Sequence, residues 1–163
     1  MTSSWPRCSD ACATRSAGAR ASRTIRDVHT LVLYGHSSCA EATLRSTARF
    51  AREHGDRLTV LTLAQLEPLV MPVKCDTRRG LWNQILRELA QDELARAYMA
   101  VDGDDDVELD VLLCTSFHPA DAIAAEALQR GADEIVLADP SRSGLRRRER
   151  RRLRRRSPVP VTG

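Results

Sequence analysis

Lysine is almost missing from this chain: Lys74 stands alone against twenty-four arginines. Codon usage produces such a bias as readily as selection for binding, so the placement of the arginines, not their number, has to carry any argument. Aromatic residues make up 4% of the sequence and none lies in the arginine-rich segment, which removes base stacking as a means of nucleic-acid recognition there. The five cysteines (Cys8, Cys12, Cys39, Cys75, Cys114) are odd in number and irregularly spaced, and no apolar run of signal-peptide length precedes them. That argues against a disulfide framework. Cys8 and Cys12 form a C-x3-C pair with no second Cys/His pair at metal spacing, so no metal site is expected. No stretch approaches the roughly eighteen consecutive apolar residues of a spanning helix, and the expectation is a cytoplasmic protein with no membrane partner. Neither a G-x-x-x-x-G-K phosphate loop nor a G-x-S-x-G elbow occurs, so the chain is read as no enzyme.

The 163 residues suffice for one domain with a sizeable core. The net charge of +3 conceals an uneven distribution. Residues 1–26 hold five arginines and one aspartate, and residues 142–156 hold ten arginines and one glutamate, leaving twenty acidic against ten basic residues for the rest. Both ends are basic and the body is acidic. Residues 1–26, rich in Ser, Ala and Arg without hydrophobic period, are expected to form a disordered basic arm. Their composition also resembles an organellar transit peptide. Residues 27–163 then make up the folded domain.

Along that domain, "VHTLVLY" (28–34) reads as a buried strand ending at Gly35. Ser38 and Glu41 have capping-box spacing, and Ala40, Leu44, Ala48 and Ala51 recur at helical spacing up to Gly55. "RLTVLTL" (57–63) is a second strand, and residues 64–79, with Pro68 and Pro72, form an irregular connection. Leu81, Ile85, Leu89 and Ala97, with Leu86 and Leu94, mark a long amphipathic helix ending near Gly103. The acidic "DGDDD" (102–106) lacks the Gly and Glu positions of an EF-hand loop and reads as solvated. "VELDVLLC" (107–114) is a third strand, "PADAIAAEALQR" (119–130) a helix with Pro at its first position, and "DEIVLA" (133–138) a fourth strand. "PVPV" (158–161) closes the series. The alternation predicts an α/β fold: an open, mainly parallel five-stranded sheet with helices on both faces, Rossmann-like.

In such sheets ligands bind beyond the carboxyl ends of the strands, where the strand order reverses. The turns 34–38 and 138–144 carry the small residues a phosphate needs. His36 and His118 lie in comparable turns and are read as histidines with ordinary hydrogen bonds. Cys39 opens the first helix, where a dipole-lowered pKa would suit redox sensing.

"GADEIVLADPSRSGLRR" followed by "PVPV", with "HPADAIAAEALQR" before it and "TLVLYGHSSCAEATLRSTARFA" near the start, resembles the universal stress protein family over about residues 28–161. The resemblance implies an adenine-nucleotide alpha-hydrolase-like fold, a stress-response role and a homodimer paired through the last strand. Nucleotide-binding members of that family carry G-x-x-G, nine residues, then G-S or G-T, because side chains at those points would keep backbone N–H groups from phosphate oxygens. Anchored on Gly144, the pattern meets Ala138, Ser141 and then Arg151-Arg152 in place of the glycines. At the first strand the family's V-D-G-S is replaced by "YGHS". The expected site is therefore a degenerate nucleotide loop of Gly35, Ser37, Ala138, Ser141, Arg142, Ser143 and Gly144, with no cofactor and with ATP doubtful.

The arginine run supports a second reading. A helix over 145–156 puts Leu145 and Leu153 on one face with Glu149 between them, a stripe too narrow for firm docking, and its like charges repel. Such a helix should fray until it meets an anionic surface. Arg146, Arg147, Arg150, Arg151, Arg154 and Arg155 are the candidates for binding an anionic partner, a nucleic acid or an acidic protein, in an adaptor role.

Overall fold

The computed structural model describes residues 28–67, 77–101 and 106–163. The N-terminal arm with its Cys8–Cys12 pair, most of the proline-containing connection and residues 102–105 of the acidic loop lie outside the described residues. Nine elements follow one another: β1 (His29–Tyr34), α1 (Ser38–His54), β2 (Arg57–Gln65), α2 (Thr77–Ala100), β3 (Val107–Cys114), α3 (Pro119–Gln129), β4 (Glu134–Leu137), α4 (Arg147–Arg156) and β5 (Val161–Thr162). The strands form one sheet in the order β3-β2-β1-β4-β5, and every pair is parallel. The α/β alternation is as expected, and the sheet is wholly rather than mainly parallel.

β1 is central, and all six of its residues are buried. Alternate side chains feed two cores. Val32 and Tyr34 join Leu58, Val60 and the inner faces of α1 and α2. Leu31 and Leu33 join Leu61, Ile135, Leu137, Ile123 of α3, Leu145 just before α4 and Leu153 within it. A strand covered on both faces has to be apolar on both, which is why β1 reads as a continuous run rather than an alternation. Buried polar groups are paired: His29 has Nε2 2.8 Å from Thr59 Oγ1 and Nδ1 3.1 Å from the Arg130 carbonyl oxygen.

Four expectations need correction. The N-cap of α1 is Ser37, not Ser38: its extended backbone lets its Oγ accept from Ala40 N at 3.0 Å. The last strand is Val161–Thr162, which shares only Val161 with "PVPV" (158–161). In α2, Leu81 and Leu89 are exposed, and the buried positions are Asn83, Ala90, Ala97 and Ala100. The reason is close approach of the backbone. Thr62 Oγ1 donates to the Ala90 carbonyl at 2.9 Å, and Asn83 accepts from Glu67 N (2.8 Å) and donates to Glu67 O (3.1 Å), so small or bifunctional side chains are needed there.

The fourth correction concerns α4, which docks on the body instead of standing free. Leu153 is fully buried and Leu145 nearly so. Glu149 accepts from Ala120 N at 3.4 Å, serving the N-terminus of α3, whose N-cap His118 makes no side-chain cap. Arg152 grips Asp121 through two bonds, of 3.0 and 2.7 Å. Glu149 and Arg152 widen the stripe with polar contacts to α3 that its leucines alone do not make.

Candidate functional site at the switch point

The strand order reverses between β1 and β4, so the crevice lies above their carboxyl ends. β1 delivers Gly35 and Ser37; β4 delivers Ala138 and leads into the turn 139–144. Ala138 N donates to Leu33 O at 3.1 Å, which carries the ladder to the edge of the crevice.

The turn is organised by Asp139. Its Oδ2 accepts from Ser37 Oγ at 2.7 Å, and its Oδ1 accepts from Ser141 N at 2.8 Å and Ser141 Oγ at 2.6 Å. The Arg142 N–H closes the turn on the Asp139 carbonyl at 3.0 Å, and Ser143 Oγ donates to Pro140 O at 3.3 Å. Burial of Asp139 would raise its pKa, but the hydrogen bonds from Ser141, Ser37 and the turn backbone outweigh burial and hold the carboxyl below its ordinary range. An ionised carboxylate is thereby fixed on the hydroxyl that caps α1.

The turn also lies directly on β1. A Cβ built on Gly35 would fall 2.0 Å from the Arg142 carbonyl oxygen and 2.7 Å from its carbon. Only a glycine fits beneath that carbonyl. Gly144, at φ +71°, uses the left-handed conformation to leave the turn toward Leu145.

The structure thus gathers Gly35, Ser37, Ala138, Ser141, Arg142, Ser143 and Gly144 in one place, with Ser143 buried and the Arg142 and Ser141 side chains exposed. Arg147, Arg150, Arg151, Arg154 and Arg155 lie on α4, which packs against α3, with Arg146 at the helix N-cap. Asp139 was not among the expected residues. The signal was present in "ADPSRS": an Asp before Pro with Ser two positions on is the pattern of an Asx turn.

The two turn histidines are tied to carboxylates. His36 Nδ1 is 3.4 Å from Glu41 Oε1 and 3.4 Å from Tyr34 Oη, and His118 Nδ1 is 3.6 Å from Glu149 Oε1. Cys39 is half-buried in the first turn of α1. A groove of about 490 Å³ runs between α1 and α2, lined by Glu41, Arg45, Asp92, Arg96 and Met99; it does not include the turn 138–144. Among the described residues no group of three His, Cys, Asp or Glu could hold a metal ion, and no helix is long and apolar enough to cross a membrane.

The model of the universal stress protein family matches residues 29–162. A search of curated protein sequences found no significant match. Among solved structures, a universal stress protein of Lactobacillus plantarum is similar with a TM-score of 0.63 and 18% identity, over 83% of this chain and 96% of its own. A universal stress protein family member of Burkholderia pseudomallei gives 0.61 and 16%, over 86% and 97%. A universal stress protein of Archaeoglobus fulgidus, solved in complex with dAMP, gives 0.53 and 20%, over 85% and 98%. The likeness to these structures is one of fold. With a family match that spans nearly all of the described sheet and helices, the chain belongs to the universal stress protein family.

Proposed function

We propose that this chain is a non-enzymatic stress-response module whose switch-point loop is closed on itself and does not take ATP in the manner of the family's nucleotide-binding members. The observation that carries this reading is the Asp139 clamp. A helix N-terminus at a switch point attracts an anion, and here the anion bound to the α1 cap is the protein's own carboxylate. A phosphate brought to the same place would meet a fixed negative charge and the Arg142 carbonyl oxygen packed on Gly35. Ala138, Ser141 and Arg151 at the glycine positions of the family pattern agree with this. The residues present do not fit a nucleotide phosphate.

The same geometry supports the absence of catalysis. The hydroxyls of Ser37 and Ser141 both donate to Asp139. A carboxylate held below its ordinary range is too weak a base to activate them near neutral pH. Homodimerisation through the last strand is part of the proposal, with Val161–Thr162 at the sheet edge as the pairing element.

The experiment is a thermal melt with and without an excess of ATP, AMP or cAMP, together with extraction of nucleotide from the purified protein. The reading expects no shift and no adenine compound. Ligand at about a hundred times its Kd adds about 2.7 kcal/mol, which for a chain of this size raises Tm by roughly 5–11 °C; a rise of that order with any of the three overturns it.

A further inference from the structure

The ten positions of α4 divide sharply when placed on a helix. At about 100° per residue, Glu149, Arg152, Leu153 and Arg156 fall on one side, and these meet the body: Leu153 is buried, Glu149 lies against the start of α3, Arg152 grips Asp121, and Arg156 stands 3.7 Å from it. Arg147, Arg148, Arg150, Arg151, Arg154 and Arg155 occupy the remaining arc of about 160°. No other residue type lies on that arc. Arg154 reaches the Gly163 carbonyl. The side chains of the other five have no ion-pair or hydrogen-bond partner among the described residues.

From this segregation we infer that the outer face of α4 is a docking surface for the sugar-phosphate backbone of a nucleic-acid duplex, bound without base readout. Three features favour that partner. The face is rigid, because the buried side of the same helix anchors it, so its guanidinium groups are presented without a folding step. Its six arginines form six like-charge pairs at i+3 or i+4 spacing, each destabilising until anions lie between them. A protein partner would need an apolar centre to the patch, and this face has none, whereas binding driven by release of condensed counterions needs charge alone. The docked helix is about 15 Å long, a length over which a duplex presents a comparable row of phosphates.

The test uses the full chain and fluorescently labelled 20-base-pair DNA and RNA duplexes of two unrelated sequences, read by anisotropy at several salt concentrations. Binding should ignore sequence, and log K should fall with log salt at a slope near −4.5 if five phosphates are neutralised, roughly a 500-fold loss between 50 and 200 mM salt. A variant carrying R147Q, R148Q, R150Q, R151Q and R155Q should lose most of the slope, while R45Q/R49Q on α1 should keep it. Arg152 and Leu153 are untouched and like-charge repulsion is removed, so the five-fold variant should melt no lower than the wild type. A wild-type slope shallower than about −2 overturns the inference whether or not the variant folds. An unchanged slope in the folded variant would assign binding to another basic segment, and competition by polyglutamate as effective as by unlabelled duplex would assign the face to an acidic protein; either result also overturns it. The nucleotide melts described above are independent of this outcome.

Discussion

Replacing Gly35 with alanine tests the geometry on which the functional reading rests. The added methyl carbon would lie 2.0 Å from the Arg142 carbonyl oxygen, and real contacts of this kind stay beyond 3.0 Å, so the oxygen has to retreat by about 1 Å. It belongs to backbone, and no side-chain rotation can relieve the clash. The turn must move as a unit, which strains the three bonds that Asp139 accepts from Ser37 and Ser141. Overpacking costs about 1–3 kcal/mol, and weakening a hydrogen bond to a charged group adds about 1.5–3 kcal/mol. A net loss of about 3 kcal/mol corresponds to a Tm lower by roughly 6–12 °C for a chain of this size. Differential scanning calorimetry measures it directly, and Gly80→Ala supplies the control. Gly80 lies inside α2 with open space around its Cβ position, so alanine there should stabilise by about 0.5–1 kcal/mol through helix propensity. The same chemical change has opposite signs at the two glycines. If Gly35→Ala melts within about 2 °C of the parent, the turn does not rest on Gly35 and the closed-loop argument fails.

Asp139→Asn should cost about 1.5–3 kcal/mol at neutral pH, because charge-assisted bonds become neutral and one acceptor is lost. The carboxyl is held below its ordinary value of 3.8, so its contribution is complete above that pH and is lost as pH falls from there toward the folded-state value; urea unfolding of parent and variant should converge in that window, and a constant gap would refute the assignment. His29 is held below its ordinary 6.5 by burial first and by Arg57 second. Its unfolded form takes up protons more readily, so stability should decline as pH drops below 6.5 and level off beneath the folded-state value; His29→Asn should flatten that part of the profile. Leu153→Ala, at a fully buried position on the inner face of α4, should cost about 2–5 kcal/mol, and a loss under about 1 kcal/mol in chemical denaturation would mean that α4 is not docked.

The element order was legible because each strand of a covered parallel sheet is apolar on both faces and each helix opens or stops on a small residue. β1 shows this most plainly, and its boundaries, like those of the edge strand β3 with its exposed Glu108 and Asp110, lie within a residue of those read from the sequence. The orientation of α2 was not legible. Periodicity selects Leu81 and Leu89 along with Ala97, whereas packing kept Ala97 and selected Asn83 and Ala90, because the Thr62 hydroxyl of β2 and the backbone of Glu67 come close enough to bond to the helix. Nothing in a single-helix pattern encodes that approach. At the switch point the glycine losses were visible, but their consequence was not. Asp139 reads as one more turn residue until the fold brings Ser37 of the neighbouring βα turn within 2.7 Å of it.

The arginine segment shows the same limit from another direction. In the sequence its ten arginines are interchangeable charges, and a helix holding only Leu145 and Leu153 on its apolar stripe has little to bind it. The fold makes the charges unequal. Pro119 opens α3 beneath a histidine that does not cap it, leaving the Ala120 N–H and the Asp121 carboxylate to be satisfied from outside. Glu149, between Leu145 and Leu153 on the stripe, and Arg152, next to Leu153, supply what is missing. Two charged residues thereby do the docking that the leucines alone could not, and in doing so they fix which arginines face inward and which face solvent. Substitutions within one run of basic residues therefore fall into two physical classes. A change at Arg152 acts on the α3–α4 contact and should leave the charge of the outer face intact; a change at Arg151 alters that face and leaves the contact alone. Only the neighbouring helix, far away in sequence, distinguishes them.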